Sequence, residues 1–243
     1  MKPFLCSLLL LVAFSLSAQA PVAVPIPKEP LHHLVLENDY VRVFRVSVPA
    51  HEATLLHQHD VPYLYVSLGP ADVINAVAGK PEARIVMTDG QVGYSPGHFA
   101  HIARNESDAP FNNVTIELLH AQGEAHNECG FVIPGQGAAI CDPPPASDWA
   151  DTQFETAEAK LDLVWLFANG KHTESISKLA FLVVGLGGPQ VRINAKGKSP
   201  KTLREGEVEW FDPGSVVQFS HEGTEVAQFL ELTFKDSVLR SRP

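Results

Sequence analysis

His57-Gln58-His59-Asp60-Val61-Pro62-Tyr63-Leu64-Tyr65-Val66-Ser67-Leu68-Gly69 opens a stretch that closes with Gly90, Pro96-Gly97-His98-Phe99-Ala100-His101 and Asn105. Residues i and i+2 of a strand share a face, so His57 and His59 can turn both imidazoles to one metal ion. His101 arrives from far along the chain as a third. Alternation from His57 continues that face through Val61, Tyr63, Tyr65 and Ser67, unless Pro62 bulges the strand. Two tyrosines, Tyr63 and Tyr65, would then line the cavity beside the histidines.

The chain around this stretch reads as all-β. Val41, Val43, Arg45 and Ser47 alternate with Arg42, Phe44, Val46 and Val48, with no 3.6-residue period. Further short strands are predicted over His57–Leu68, Arg84–Met87, Gln91–Ser95, His98–Arg104 and Asn113–His120, with a hairpin turn at Asp89-Gly90. Pro21–Pro30 carries four prolines and reads as an extended arm. Residues 121–150 are rich in glycine and proline and hold two cysteines, and Asp151–Leu161 is read as a short helix. Strand texture then returns. Evenly spaced short strands point to a sandwich or barrel.

The C-terminal half repeats the first. His57–Pro70 aligns without a gap on Ser175–Gly188, pairing His57 with Ser175, His59 with Ser177 and Tyr63 with Phe181. Gly90 then pairs with Gly206, Pro96 with Pro213, His101 with Gln218, Asn105 with Glu222 and Glu117 with Glu231. The second copy lacks the three histidines, so one metal site per chain is predicted. Because Glu231 recurs in that copy, a structural role is assigned to Glu117.

Taken together, the spacing resembles the two motifs of the cupin superfamily. Gly90, Pro96, His101 and Asn105 match the second, with Gly97 one place early; His57, His59 and Gly69 match the first. The first motif's opening glycine is His51 here, and its glutamate position is Tyr63 or Leu64. The resemblance implies two tandem jelly-roll barrels, with metal ligands His57, His59 and His101 and no carboxylate ligand. The boundaries read as arm 21–33, metal-binding barrel 34–122, connector 123–152, degenerate barrel 153–238 and tail 239–243. Nitrogen donors suit one divalent transition metal, Fe(II), Zn, Cu or Ni, better than Ca or Mg.

The resemblance implies either a metal-dependent enzyme, foremost a dioxygenase acting on a small molecule, or a non-catalytic protein binding a small molecule or metal. Tyr63 and Tyr65 are the candidate catalytic residues, Tyr63 either as a hydrogen-bond donor to metal-bound oxygen or substrate or as packing that fills the barrel, as Phe181 does in the second copy.

Residues 1–20 read as a signal peptide: Lys2, an apolar run from Phe4 to Leu16, then Ala18-Gln19-Ala20. The run is shorter than the roughly 20 residues of a membrane span. The mature protein is therefore predicted to be secreted or periplasmic. Removing residues 1–20 takes Lys2 and no acid, leaving 17 of the 18 basic residues against 28 acidic ones, a net charge of −11. That balance, without a basic cluster, argues against nucleic acid and anionic membranes as partners, and leaves a homo-oligomer open. Cys129 and Cys141 then remain as a pair suited to a disulfide; a small metal site with His126 is the competing reading, but spacing supplies no fourth ligand.

Overall fold

The computed structural model describes residues 22–143, 147–174 and 177–235. The segment 1–20, the tail 239–243 and Ser175, paired above with His57, lie outside the described residues. No helix among them is long and apolar enough to cross a membrane.

Twenty strands form two β-sandwich barrels. The first uses β1 (Val24–Pro25), β2 (His32–Glu37), β3 (Val41–Val48), β4 (His57–His59), β5 (Tyr63–Leu68), β6 (Ala71–Val77), β7 (Ala83–Met87), β8 (Val92–Ser95), β9 (Phe99–Asn105) and β10 (Phe111–Leu118). The second uses β11 (Ala125–Asn127), β12 (Trp149–Thr156), β13 (Ala159–Leu166), β14 (Lys171–Glu174), β15 (Phe181–Gly185), β16 (Val191–Ala195), β17 (Lys201–Leu203), β18 (Val208–Phe211), β19 (Val217–Ser220) and β20 (Ala227–Phe234). Sheet β1-β4-β9-β6-β7 faces β2-β3-β10-β5-β8, and β14-β19-β16-β17 faces β11-β12-β13-β20-β15-β18.

Strand alternation decides what each face covers. On β3, Phe44, Val46 and Val48 fill the first barrel with Ile26, Val73, Met87 and Phe111. Val41 and Val43, on the opposite face, join Leu64, Val66, Ile116, Leu161, Leu182, Leu230 and Phe234 in a core shared by the two barrels. The second barrel is filled by its own cluster, which includes Phe181, Phe211, Phe219 and Phe229.

Several sequence expectations are corrected. His57–Leu68 is two strands on facing sheets: the chain crosses at residues 60–62, yet Tyr63 and Tyr65 still point at the histidines. Asp89-Gly90 is no hairpin, because β7 pairs with β6 and β8 with β5. It is a corner between sheets, held by Gly90 N–H on Ser67 O and by Asp89 Oδ1, which accepts from Gly69 N. The helix read over Asp151–Leu161 is the hairpin β12–β13. Thr156 Oγ1 accepts from the Glu158 and Ala159 amides at its turn, and cross-strand pairing overrides the helix-forming Ala-Glu-Ala-Lys run.

The Pro-rich arm is extended but docked. Val24 pairs in parallel with His57, and a single 3-10 turn, Ile26–Lys28, sends Ile26 into the barrel core. Cys129 and Cys141 form a disulfide with Cα atoms 5.6 Å apart, which displaces the metal reading of that pair.

Backbone hydrogen bonds fix the register of the repeat. Gly90 donates to Ser67 O and Ser67 to Gln91 O, and Gly206 donates to Gly185 O and Gly185 to Glu207 O, all at 2.9 Å. His98 N–H on His59 O is matched by Gly214 N–H on Ser177 O, and Asn105 N–H on Glu52 O by His221 N–H on Gly170 O. Strand pairing sets His101 against Val77 and Val217 against Ala195. The counterpart of His101 is thus Val217 rather than Gln218, and that of Asn105 is His221 rather than Glu222. Matching Pro96 to Pro213 had pulled that register by one residue. Likewise Glu117 pairs with Tyr63 but Glu231 with Val183, whereas Phe181 pairs with Thr233. Thr233, not Glu231, therefore stands in the place of Glu117.

Candidate metal centre

His57, His59 and His101 come together between β4 and β9, where His57 pairs directly with His101. Ring centroids are 4.4 Å apart for His57 and His101, 5.1 Å for His57 and His59, and 5.2 Å for His59 and His101. Each ring is held from behind. His57 Nδ1–H donates to Leu55 O at 2.9 Å, and His101 Nδ1 is 2.7 Å from Asn75 Oδ1. His59 Nδ1 lies 3.6 Å from Glu117 Oε1, too far for a hydrogen bond but close enough to orient the ring electrostatically. Glu117 is wholly buried, with Arg42 Nη2 at 2.9 Å from Oε2 in an ion pair off the hydrogen-bonding line. Its role is thus toward His59 as well as structural.

A fourth histidine, absent from both cupin motifs, completes the cluster. His32 on β2 has its ring centroid 4.7 Å from that of His57 and 6.3 Å from that of His59. One donor atom from each of His32, His57 and His59 lies within 4.8 Å of the others, a trio that does not include His101. Nothing in the arm's composition pointed to this. The signal that could have found it is the polar pair His32-His33 opening an alternating run into Glu37.

Burial, first, and neighbouring imidazoles, second, keep the site neutral. His57 is pushed down to about 4 by desolvation and His32, against the pull of its Leu55 bond. His101 falls to about 2 by burial and the other three histidines. His59 is lowered by burial, which Glu117 only partly opposes. Neutral imidazoles are what metal ligation requires. His57 Nε2 and His101 Nε2 are buried with no hydrogen-bond partner among the described residues, a cost that a metal ion would remove. The residues fit a divalent transition metal.

The histidines sit at the base of a cavity of about 650 Å³ lined by Tyr63, Tyr65, Phe99, Phe111 and Met87. Tyr63 stacks on His59, and burial raises its pKa above the usual phenol value, with the nearby Ser95 opposing the shift. Tyr65 lies over Gly93, where any Cβ would collide with its ring. Phe131, Val132 and Pro134 of the disulfide-bonded connector also line the cavity, and Tyr94 N–H bonds Val132 O at 2.8 Å. A groove of about 700 Å³ between the barrels, lined by Arg45, Arg192, Lys201 and Arg204, has no histidine in its wall and is not this site.

In the second barrel the matching positions are filled. Phe181 replaces Tyr63 and stacks on Phe211, centroids 4.9 Å apart, where the first barrel has Ser95. Val217 stands for His101 and is fully buried.

No family profile and no curated protein sequence matches the chain. Solved structures do. A cupin 2 conserved barrel domain protein from Leptotrichia buccalis is similar at TM-score 0.56 and 11% identity, over 84% of this chain and 88% of that one. The chain has the two-barrel cupin fold. The same cupin architecture is seen in salicylate 1,2-dioxygenase from Pseudoaminobacter salicylatoxidans (TM-score 0.58, 12% identity, 83% of this chain and 69% of that one). It is seen again in the coconut allergen cocosin (0.56, 12%, 87% and 86%). The left-handed backbone of His51 (φ 58°) falls where the cupin motif has its opening glycine.

Proposed function

We propose that the first barrel binds one divalent transition metal through His57, His59 and His101 and presents it to a small molecule in the aromatic cavity. The observation that carries this reading is the pair of buried Nε2 atoms, on His57 and His101, that lack any partner at the base of that cavity. Leu55 O holds His57, and Asn75 holds His101, with Nδ1 occupied and Nε2 free. Tyr63 positions His59 through its ring, and the apolar wall of Phe99, Phe111 and Met87 excludes water from a flat, largely apolar guest.

When bound, such an ion supplies Lewis acidity and, as Fe(II), the electron transfer that dioxygen activation needs. We assign the reaction class as oxygen-dependent oxidation of a small molecule. It is supported by an all-nitrogen ligand set beside an aromatic cavity, and by a fold shared with a salicylate dioxygenase. Export belongs to the same proposal, supported by the Cys129–Cys141 disulfide, which persists in oxidising compartments. Metal analysis should return one ion per chain, and the Fe(II)-loaded protein should consume oxygen with at least one member of a panel of phenols, thiols and diketones. Metal-free protein that takes up none would overturn the metal assignment; loaded protein inert to the whole panel would overturn the oxidation.

A further inference from the structure

We propose that His32, carried by the N-terminal arm, is a fourth ligand to the metal, with Glu29 as the carboxylate that orients it. This rests on the metal reading above and deepens it.

Glu29 is the unexpected residue of the arm: a carboxylate 2% exposed, in a segment of prolines. Its bonds explain the burial. Oε2 accepts from Leu31 N at 2.7 Å and faces His32 Nδ1 at 2.6 Å, while Oε1 accepts from Leu55 N at 3.1 Å. Leu55 in turn offers its carbonyl to His57 Nδ1. One residue, Leu55, therefore ties the arm's carboxylate to a ring already assigned to the metal.

The His32 side chain is 5% exposed. A carboxylate accepts, so Nδ1 donates to Glu29, and no group among the described residues is hydrogen-bonded to Nε2, the nitrogen left to face a metal. Three of the four imidazoles have an oxygen within hydrogen-bonding distance of Nδ1, from Glu29, Leu55 or Asn75, and His59 has Glu117 Oε1 at 3.6 Å. Such an outer oxygen fixes the tautomer and raises the basicity of a metal-ligating histidine. His32 also supplies the donor atom that lies within 4.8 Å of those of His57 and His59.

Meanwhile the motif's glutamate position offers no carboxylate. Tyr63 stands there with its ring on His59. The acids have moved outward, to Glu29 behind His32 and Glu117 behind His59. Four imidazole nitrogen donors favour a borderline ion such as zinc, copper, nickel or Fe(II) over manganese or magnesium.

Zinc alone is the probe, with the intact protein. X-ray absorption should count four imidazoles in the unchanged protein and three in His32→Ala. Chelator competition should show His32→Ala binding weakened by more than the roughly 10–100-fold that losing an outer partner costs, and Glu29→Gln weakened within that range with four imidazoles kept. A count of three in the unchanged protein overturns the inference whether or not the variants fold. So does His32→Ala with zinc affinity within threefold of the unchanged protein while His57→Ala loses it; that result leaves the metal reading standing. Failure of the unchanged protein to bind stoichiometric zinc would remove both.

Discussion

The ring of Tyr63 lies on the imidazole of His59, centroids 4.0 Å apart and planes 19° apart. Tyr63 therefore meets the site through its face. Such a stack is worth about 0.5–1.5 kcal/mol. Tyr63→Phe should keep zinc affinity within about threefold, because the ring that packs on His59 is retained. Tyr63→Ala should weaken zinc binding about tenfold as His59 loses its support. Calorimetric titration of both variants checks this; a large loss of affinity in Tyr63→Phe would make the phenol a ligand.

Arg42 is the cation beside a fully buried Glu117. Removing one partner of a buried pair costs about 3–5 kcal/mol, because the other charge is left without compensation. Arg42→Ala should approach the lower end, since Arg42 is itself 25% exposed. Glu117→Gln should cost less stability but weaken zinc binding about 10–100-fold, through His59. Urea melts read the first effect, and chelator competition the second.

Acid should destabilise the metal-free protein through the site. In the fold His57 titrates at about 4 and His101 at about 2, against about 6.5 when unfolded. Between those values the unfolded chain binds more protons, so their contribution is complete above pH 6.5 and is lost as pH falls. Each imidazole contributes a slope of up to about 1.4 kcal/mol per pH unit in that window. Glu29, lowered by His32 and two backbone amides against its own desolvation, adds a loss in the same direction at lower pH. Urea midpoints of chelator-treated protein at pH 7.5 and 5 should differ, and His57→Gln should flatten the difference.

The strand pattern and paired histidines were legible because alternation and i, i+2 spacing are local properties. His57 and His59 could be paired from spacing, and His101 joins them through the resemblance to the cupin motifs. His32 could not, because its place depends on long-range pairing, of His32 with Val46 and of the arm's Val24 with His57, in a segment whose prolines read as an extended arm. The repeat shows the complementary limit. Sliding Thr115-Ile116-Glu117-Leu118 by two residues along β20 leaves every inward and outward position unchanged, so alternation cannot tell Glu231 from Thr233 as the partner of Glu117. Only the pairing of Phe181 with Thr233 decides it.

Gly97 shows why one motif glycine cannot vary. Its φ is +72°, and a Cβ there would collide with the carbonyl oxygen of Val61, where the chain crosses between sheets. The next residue, His98, donates its N–H to His59 O at 2.7 Å, so any shift of Gly97 is felt at a ligand strand. Gly69 is the matched control, with φ +89° and nothing within 4 Å of a Cβ. Alanine at Gly69 should cost only the left-handed backbone, about 1–2 kcal/mol. Gly97→Ala pays that and the collision with backbone, which has no flexible end to move, and should lose about 3 kcal/mol or more. It should also weaken zinc binding, whereas Gly69→Ala should not. Equal stability losses in the two variants, with equal zinc affinity, would show that the crossing at residues 60–62 can yield and that Gly97 serves only its own turn.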